Sequence, residues 1–594
     1  MRTLTDKCCS RCWDSELQRC PVFTECQPQR PLPDCHTDES CVHQREEVVK
    51  RLRYGAGTLI KVSMGTCGQR AGASSILGAI SAELQRRNLS TVSLSVTGCL
   101  GNCSQEVLVS ISHPKYPTVL YGRITEDKIP YLLSEHIERN RVVPELVLAQ
   151  MEEPEKKPLD NIPPLKGLDF FRKQVRRLSE RCGRMDPESL DDFLLHGGFL
   201  GLSKAMRDVK PAGILKLLRE SKLRGRGGPG EYAADKWDQV AAAAGREKYV
   251  ICNAHEGDAG SFKDRRLLES DPLAVVEAMT LAGYAVGARK GIIFLHPDYQ
   301  LAKKRLQLAC EKARALNYLG KEILGSDVSF EIEIRSSPGD YLSGEETSLV
   351  AFLEGKAGVK RVPPYLTTQG LWGLPTLIHN VETLLNVPPL IVKGAEWLNE
   401  YGTGKSPGTR CLTLSGCLQQ SGIVEVPIGI RIQDLLDMGG GTPPGKKIKA
   451  VHLGGPLGGY LPESLFNTPL DYESAKELGI GLGTGSLVAL EDKTCMVHKT
   501  WQDALFTARE ECGQCTPGRE GSYQISRFLE KISQGKGTRR DLQKLREIAA
   551  YMREASMCAY GRTSPGLISS SLEHFPFEYE EHLQKRCPAG VCFK

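Results

Sequence analysis

Cysteine placement constrains this chain more than any other feature. Of 594 residues 21 are cysteine, and they fall in groups: seven within the first 41 residues, three between Cys67 and Cys103, and five between Cys512 and Cys592. The N-terminal stretch MRTLTDKCCSRCW puts cysteines where a signal peptide would carry its apolar segment, so the expected location is cytoplasmic. In a reducing compartment, clustered thiols point to metal ligation or redox chemistry before disulfides. No apolar run approaches the roughly 20 residues that span a bilayer, so no transmembrane segment is expected. The net charge of +5 is spread along the chain rather than gathered into a stripe, which leaves no footprint for nucleic acid.

The length implies about three to five domains, and 40% hydrophobic with 25% charged residues supplies ordinary cores. Residues 1–50 are rich in Cys, Pro and charge and poor in large aliphatics, so a metal has to organise them. Between 51 and 145 the strands TLIKVSM, TVSLSVTG, VLVSIS and TVLYGRI accompany the helical run SSILGAISAELQRRN, with cysteines at strand ends; this reads as a small α/β domain. Residues 146–190, which include VLAQMEEPEKKPLDNIPPLKG, read as a linker or extended arm. From 191 to 400 the strands KYVICN, KGIIFLH and FEIEIR alternate with helices, as a mostly parallel sheet requires. Short strands, Gly-rich turns and one small helix (IRIQDLLDMGG) make 401–490 a β-grasp-like module, and 491–594 is a helical module with a Cys-rich tail, helical by its apolar spacing from Trp501 to about Met552. The expected fold class is α/β multidomain, ending in a helical bundle.

Four motifs carry chemistry. In LRGRGGPG, residues 223–230, glycines let backbone amides approach an anion, as phosphate-cradling loops do; alone, the run also fits a basic surface loop. ICNAHEGDAGSFKDR leaves the carboxyl end of a strand, where open α/β sheets bind ligands, and so sets Asn253, Glu256 and Asp258 beside a ring or ribose; an acidic helix cap would look the same. SSPGDYLSGEETSLVAFLEG puts Glu345 and Glu346 in a first helical turn, where carboxylates suit the dipole as well as any ligand. In RECGQCTPGRE, Cys512 and Cys515 are spaced to hold one metal or cluster, with Cys558 of SMCAYG as a third ligand; buried inert thiols are the alternative. Three such loops meeting at one sheet edge favour ligand binding over separate coincidences.

In this order and spacing, the motifs resemble those of the flavin-carrying, NADH-oxidising subunit of respiratory complex I and its relatives in NAD-reducing hydrogenases and formate dehydrogenases. The likeness covers roughly residues 190 to 594 and includes the NVET segment from Asn380 to Thr383. Residues 58–136 similarly resemble the thioredoxin-like [2Fe-2S] domain fused to hydrogenase-type members, and the ending KRCPAGVC resembles theirs. The resemblance implies FMN against Gly225, Arg226, Gly227 and Gly228, with Lys236, Asn253, Glu256, Asp258, Tyr341, Gly344, Glu345 and Asn380 around it. It implies Glu346 near the nicotinamide of NAD(H). Hydride would pass to the flavin, and single electrons would leave through a [4Fe-4S] cluster to other redox subunits and a separate catalytic subunit. In this picture the cofactors do the chemistry and the protein orients them.

The sequence departs from the family pattern at identifiable positions. Gly518 stands where the third cluster cysteine belongs, leaving Cys512, Cys515 and Cys558. Val62 stands at the first position of the [2Fe-2S] pattern, leaving Cys67, Cys99 and Cys103, with a fourth ligand to come from the N-terminal group. On the nucleotide side Glu231 replaces an aromatic, His255 an Asp, Val362 a basic residue and His379 an Asn. A carboxylate and a valine in place of a stacking ring and a lysine weaken binding of an anionic dinucleotide. Two functions are therefore open at this point. One is a diaphorase subunit exchanging electrons between NAD(H) and iron-sulfur clusters through FMN; the other is a degenerate relative serving as electron conduit or assembly subunit without productive NADH binding. Cys9 and Cys12, with Cys8, Cys20, Cys26, Cys35, Cys41, His36 and His43, suffice for a zinc site, an iron-sulfur cluster or both. In the tail, Cys495, Cys587 and Cys592 with either His574 or His582 make a Cys3His zinc set, where hydrogenase-type relatives carry a structural metal.

Overall fold

Three sheets and a helical end organise the residues that the computed structural model describes, which are 57–153, 156–245, 247–358 and 365–593. The N-terminal group with Cys9 and Cys12, and Val362, lie outside the described residues. The first sheet holds β1 (Leu59–Ser63), β2 (Ser93–Thr97), β3 (Val109–Ser112), β4 (Val119–Tyr121) and β5 (Val147–Gln150) in the order β2-β1-β3-β4-β5. Only β1 and β2 run parallel, joined by helix Ala73–Arg86. That helix buries Ile76, Ile80 and Leu84, spaced by four on one face, in the same core as Ile60 and Val62.

The second sheet is wholly parallel: β6 (Tyr249–Ala254), β7 (Lys290–Leu295), β8 (Glu331–Ser336) and β9 (Thr376–Asn380), in the order β8-β7-β6-β9. Strand period sends Val250, Cys252, Ala254, Ile293 and Leu295 to one core and Tyr249, Ile251, Ile292 and Phe294 to the other. Helix Pro272–Val286 is apolar all round and, apart from Tyr284, buried all round, as a helix covering a parallel sheet must be. Strands β6 to β8 step outward in one direction, and β9 returns to the opposite side of β6. The winding therefore reverses between β6 and β9, and this reversal opens a crevice at their carboxyl ends. β9 is the strand that sequence reasoning did not separate from its surroundings.

The third sheet contains β10 (Thr409–Gly416), β11 (Gly422–Pro427), β12 (Ile448–Leu453), β13 (Gly459–Pro462) and β14 (Ser486–Glu491) in the order β11-β10-β14-β12-β13, with β10 and β14 parallel. Helix Ile432–Met438 is the small helix expected there. The helical end includes Met496–Arg509, Thr516–Ser533, Arg539–Ala555, Pro565–His574 and Pro576–Leu583, so helix continues well past Met552. No helix among the described residues is long and apolar enough to cross a membrane.

Residues 146–190 are not a linker. Their start is β5, paired antiparallel with β4, and Phe170 and Phe171 are buried in the core of the third sheet. Buried Glu425 of β11 accepts the backbone N–H groups of Leu178 (3.0 Å) and Ser179 (2.9 Å). The Pro, Lys and Glu content up to residue 164 masks the aromatic pair that follows, and burying each ring contributes roughly 1.5–3 kcal/mol. The segment is a strap that stitches the first sheet to the third.

Candidate functional site

The crevice at the β6/β9 reversal is lined by the glycine loop on one side and residues 341–346 on the other. Asn253, one residue before the end of β6, stands opposite Asn380, which ends β9. A Cβ on Gly227 would stand 3.2 Å from Asn380 Cβ, so the loop crosses the strand ends at backbone contact distance. Gly228 takes φ +147° and faces open space. At Gly230, φ +70°, a Cβ would collide with the ring of Tyr472, which lies under the loop and donates from its hydroxyl to Gly225 O at 2.6 Å. These glycines therefore keep a side-chain-free rim over the crevice. Across it, Asn253 Nδ2 donates to Gly344 O at 2.8 Å, and Glu345 caps helix Glu346–Leu353 by accepting from Thr347 N and Ser348 N. Glu346, the first residue of that helix, pairs with Lys236 at the half-exposed mouth.

Below the crevice lies a buried charged network. Lys263 Nζ contacts Asp264 (2.7 Å) and Glu382 (3.1 Å), while Asn380 Nδ2 donates to Asp264 Oδ2 at 2.6 Å. Both carboxylates hold the Lys263 ammonium well above its ordinary range in spite of burial. His255 and His379 are both buried and shifted down, to about 4 and about 3, so each is a neutral imidazole at neutral pH. His255 Nδ1 pairs with Ser337 Oγ at 2.7 Å. The Nε2 atoms of His255 and His379 and the Nε1 of Trp237 are buried without a hydrogen-bond partner among the described residues. The resulting cradle suits a flat ring with a phosphate tail.

Residues 341–346 also reach the cysteines of the helical end. Tyr341 packs on Tyr560 (centroids 5.6 Å) and Phe506 (5.9 Å), and its N–H donates to Glu510 at 2.7 Å. Leu342 shares one apolar cluster with Cys558 and Tyr560, against which Cys512 packs. Cys515 caps helix Thr516–Ser533 and Cys558 caps helix Ala559–Thr563, with Cys558 Sγ accepting from Gly561 N at 3.3 Å. Helix N-termini favour thiolates and the anionic clusters they hold. On the other side of the crevice, helix Lys263–Ser270 docks the first sheet: Thr66 N donates to Glu269 (2.8 Å) and Cys99 N to Ser270 Oγ (3.0 Å). There the thiols of Cys67, Cys99 and Cys103 converge. Hydrogen bonding from Cys103 lowers Cys67 to about 6, helped by Arg265, whose Nη2 lies 3.6 Å from its sulfur; Cys103 is raised by Cys67 and Cys99.

Known proteins match this arrangement. The Nuo51 FMN-binding domain family matches residues 218–389, and the NADH-ubiquinone oxidoreductase-F iron-sulfur binding region matches 500–582. The NADP-reducing hydrogenase subunit HndC of Solidesulfovibrio fructosivorans is 41% identical over 424 residues, covering 71% of this chain and 86% of its own. An F-type subunit of the NADH-quinone oxidoreductase of Rhizobium meliloti is 37% identical over 406 residues, covering 68% and 96%. The chain belongs to the family of F-type subunits of NADH-quinone oxidoreductase. It is accordingly an oxidoreductase, an electron-transfer subunit with an FMN-binding domain and an iron-sulfur binding region. A chain of the NAD+-reducing [NiFe]-hydrogenase in its H2-reduced state superposes with TM-score 0.62 at 26% identity, covering 96% of this chain and 94% of that one.

Within this family framework, several residues take places that the motifs did not foretell. The Arg226 guanidinium is fully buried and donates from Nη2 to Pro407 O at 2.8 Å. Glu256 caps the start of helix Lys263–Ser270, accepting from Lys263 N (2.9 Å), Ser261 Oγ (2.6 Å) and Tyr299 Oη (2.9 Å); burial raises its carboxyl to about 7. Asp258 accepts from Thr484 (2.9 Å) and Ser486 (2.7 Å) and locks the crevice onto the third sheet. All three are buried, and Glu256 and Asp258 accept hydrogen bonds from protein groups, whereas Arg226 Nε and Nη1 have no partner among the described residues. Lys263 and Asp264, at the end of the ICNAHEGDAGSFKDR motif, and Tyr472 were not singled out: Glu382 and Asn380 reach the first two from more than 110 residues away, and Tyr472 comes from the third-sheet region. Val62 points into the core of the first sheet and offers no ligand.

In the tail the structure assembles Cys495, His582, Cys587 and Cys592, with ligand atoms all within 4.8 Å of one another. His574 is not in this group. It ends helix Pro565–His574, whereas His582 lies one helix later and is turned toward Cys495 Sγ (3.4 Å) by the bond between its Nδ1 and Glu578 O (2.6 Å). That second contact fixes the ring and leaves Nε2 for a metal. Cys495 is raised to about 12, first by its hydrogen bond with Cys592 and then by burial. Burial lowers His582, but the bond to Cys495 outweighs it and holds the ring at about 8.

Proposed function

We propose that this chain exchanges electrons between NAD(H) and iron-sulfur carriers of a multisubunit redox complex, through FMN in the β6/β9 crevice and a cluster at Cys512, Cys515 and Cys558. The observation that carries this reading is the segment 341–346, one wall of the flavin crevice and at the same time the packing partner of the cluster loops. When bound, FMN accepts an electron pair as hydride and releases electrons singly. The chain's residues supply position and field. The glycine rim admits the phosphate, and Asn253 and Asn380 fix the floor. The Lys236–Glu346 pair stands at the mouth, where a nicotinamide would enter. Neutral His255 adds no negative charge there, which favours approach of an anionic dinucleotide over the Asp expected from the family pattern. The first sheet, as a thioredoxin-like domain, would hold a [2Fe-2S] cluster at Cys67, Cys99 and Cys103 and lead electrons to partner subunits. The tail group would bind a structural zinc.

An anaerobic titration tests this. Purified protein is expected to carry FMN whose absorbance NADH bleaches, followed by reduction of a cluster signal. FMN that stays oxidised under NADH would overturn the role assigned to nicotinamide nucleotide and leave an electron conduit.

A further inference from the structure

Gly518 leaves the cluster one thiolate short, and the structure fills the same volume from a different residue. A Cβ on Gly518 would stand 2.3 Å from Glu511 Oε1 and 3.0 Å from its carboxyl carbon, so this carboxylate occupies the space of the side chain that glycine omits. The same point lies 3.1 Å from Cys515 Sγ. Glu511 Oε1 is also 3.7 Å from Cys512 Sγ, which donates to it, while Oε2 is held by Gly513 N. One oxygen is thus anchored to backbone, and the other meets the Cys512 sulfur and stands in the space beside Gly518 that Cys515 Sγ also borders. Glu511 immediately precedes Cys512, and Thr516–Ser533 begins at Cys515, so both sides of this contact sit on one short turn.

We propose that Glu511 is the fourth ligand of the cluster held by Cys512, Cys515 and Cys558, its carboxylate replacing the missing thiolate. The Cys512 proton bridges this contact in the protein alone; when the thiols bind iron as thiolates that proton leaves, and the carboxylate oxygen is left in reach of the same iron-binding volume. Oxygen is a harder and weaker donor to cluster iron than sulfur. Replacing thiolate by a weaker donor raises cluster potential, as imidazole does in Rieske centres. Glu511 thereby tunes this exit toward easier electron acceptance and makes one iron more labile than the others.

The inference rests on the cluster being present, and the experiment separates the two claims. Anaerobically prepared full-length protein is compared with Glu511→Gln and with the double variant Glu511→Ala/Gly518→Cys, using iron content, FMN content and electron paramagnetic resonance. Retained FMN reports an intact fold. Wild type should show a complete [4Fe-4S] signal. Glu511→Gln should lose about one iron atom per chain and give a three-iron signal when oxidised. The double variant should regain the full cluster at a lower midpoint potential. A Glu511→Gln protein with unchanged iron, spectrum and potential would overturn the carboxylate ligand while leaving the cluster in place. Wild type without any cluster at these cysteines would overturn both.

Discussion

The flavin domain and the helical end hold their sites by different means. Around the crevice, a parallel sheet buried on both faces carries Asn253 and Asn380, and a closed network of Lys263, Asp264 and Glu382 fills the space beneath. That charged network is closed by protein atoms, while His255 Nε2, His379 Nε2 and Trp237 Nε1 stay without a partner among the described residues. In the helical end the sulfurs stand on turns and helix caps, and the tail group brings three thiols and an imidazole together at the edge of the helical core. A site that exchanges a bulky ligand is held by a scaffold that does not depend on it. A site that keeps its metal makes the metal part of the fold.

The sharpest break of this contrast is metal removal. In small metal-organised peptides a structural zinc contributes about 10–16 kcal/mol. Cys592→Ser, or a strong chelator, is expected to abolish tail metal content and to expose helix Pro576–Leu583 to hydrogen exchange while FMN stays bound. Loss of FMN along with the metal would show that the two regions are not independent.

The converse variant is Lys263→Met, which leaves Asp264 and Glu382 buried without their cation at a cost of about 3–5 kcal/mol. Chemical denaturation should show the flavin domain unfolding earlier, with tail metal retained. A smaller effect is expected from Glu277, which accepts Phe199 N (2.9 Å) and Leu202 N (3.1 Å) yet is raised by burial from 4.5 to about 7. The native state binds this proton more tightly than the unfolded chain does. Stability from this group is therefore full below pH 4.5 and falls as pH climbs to about 7, by on the order of 3 kcal/mol. Glu277→Gln should flatten that part of a thermal-unfolding pH series; an unchanged slope would assign it elsewhere. The mildest change is Gly228→Ala, which places a side chain at φ +147° for about 1–3 kcal/mol. FMN affinity should drop roughly ten- to hundredfold in a fluorescence titration, with cluster iron untouched.

Much of this molecule is legible in its residues. Strands β6, β7 and β8 announce themselves as apolar runs bounded by turns, the helix between β6 and β7 as a stretch without a polar face, and the cysteine pairs by spacing. β9 is hidden because TLIHN is five residues long with two polar ones at its end, and nothing local distinguishes it from a loop. For Asp258 and Glu256 a strand-end carboxylate has the same local appearance whether a ribose or a serine hydroxyl meets it, and only the fold shows Ser486 and Ser261 donating to them.

Residue type and short-range spacing were enough for the family, with its FMN-binding domain and iron-sulfur binding region. What each side chain faces emerged only from the packed fold: Arg226 toward Pro407, His582 rather than His574 beside Cys495, and Glu511 in the volume left by Gly518. A side chain's role is set by the group that arrives opposite it, and that group comes from chain segments whose approach only tertiary packing defines.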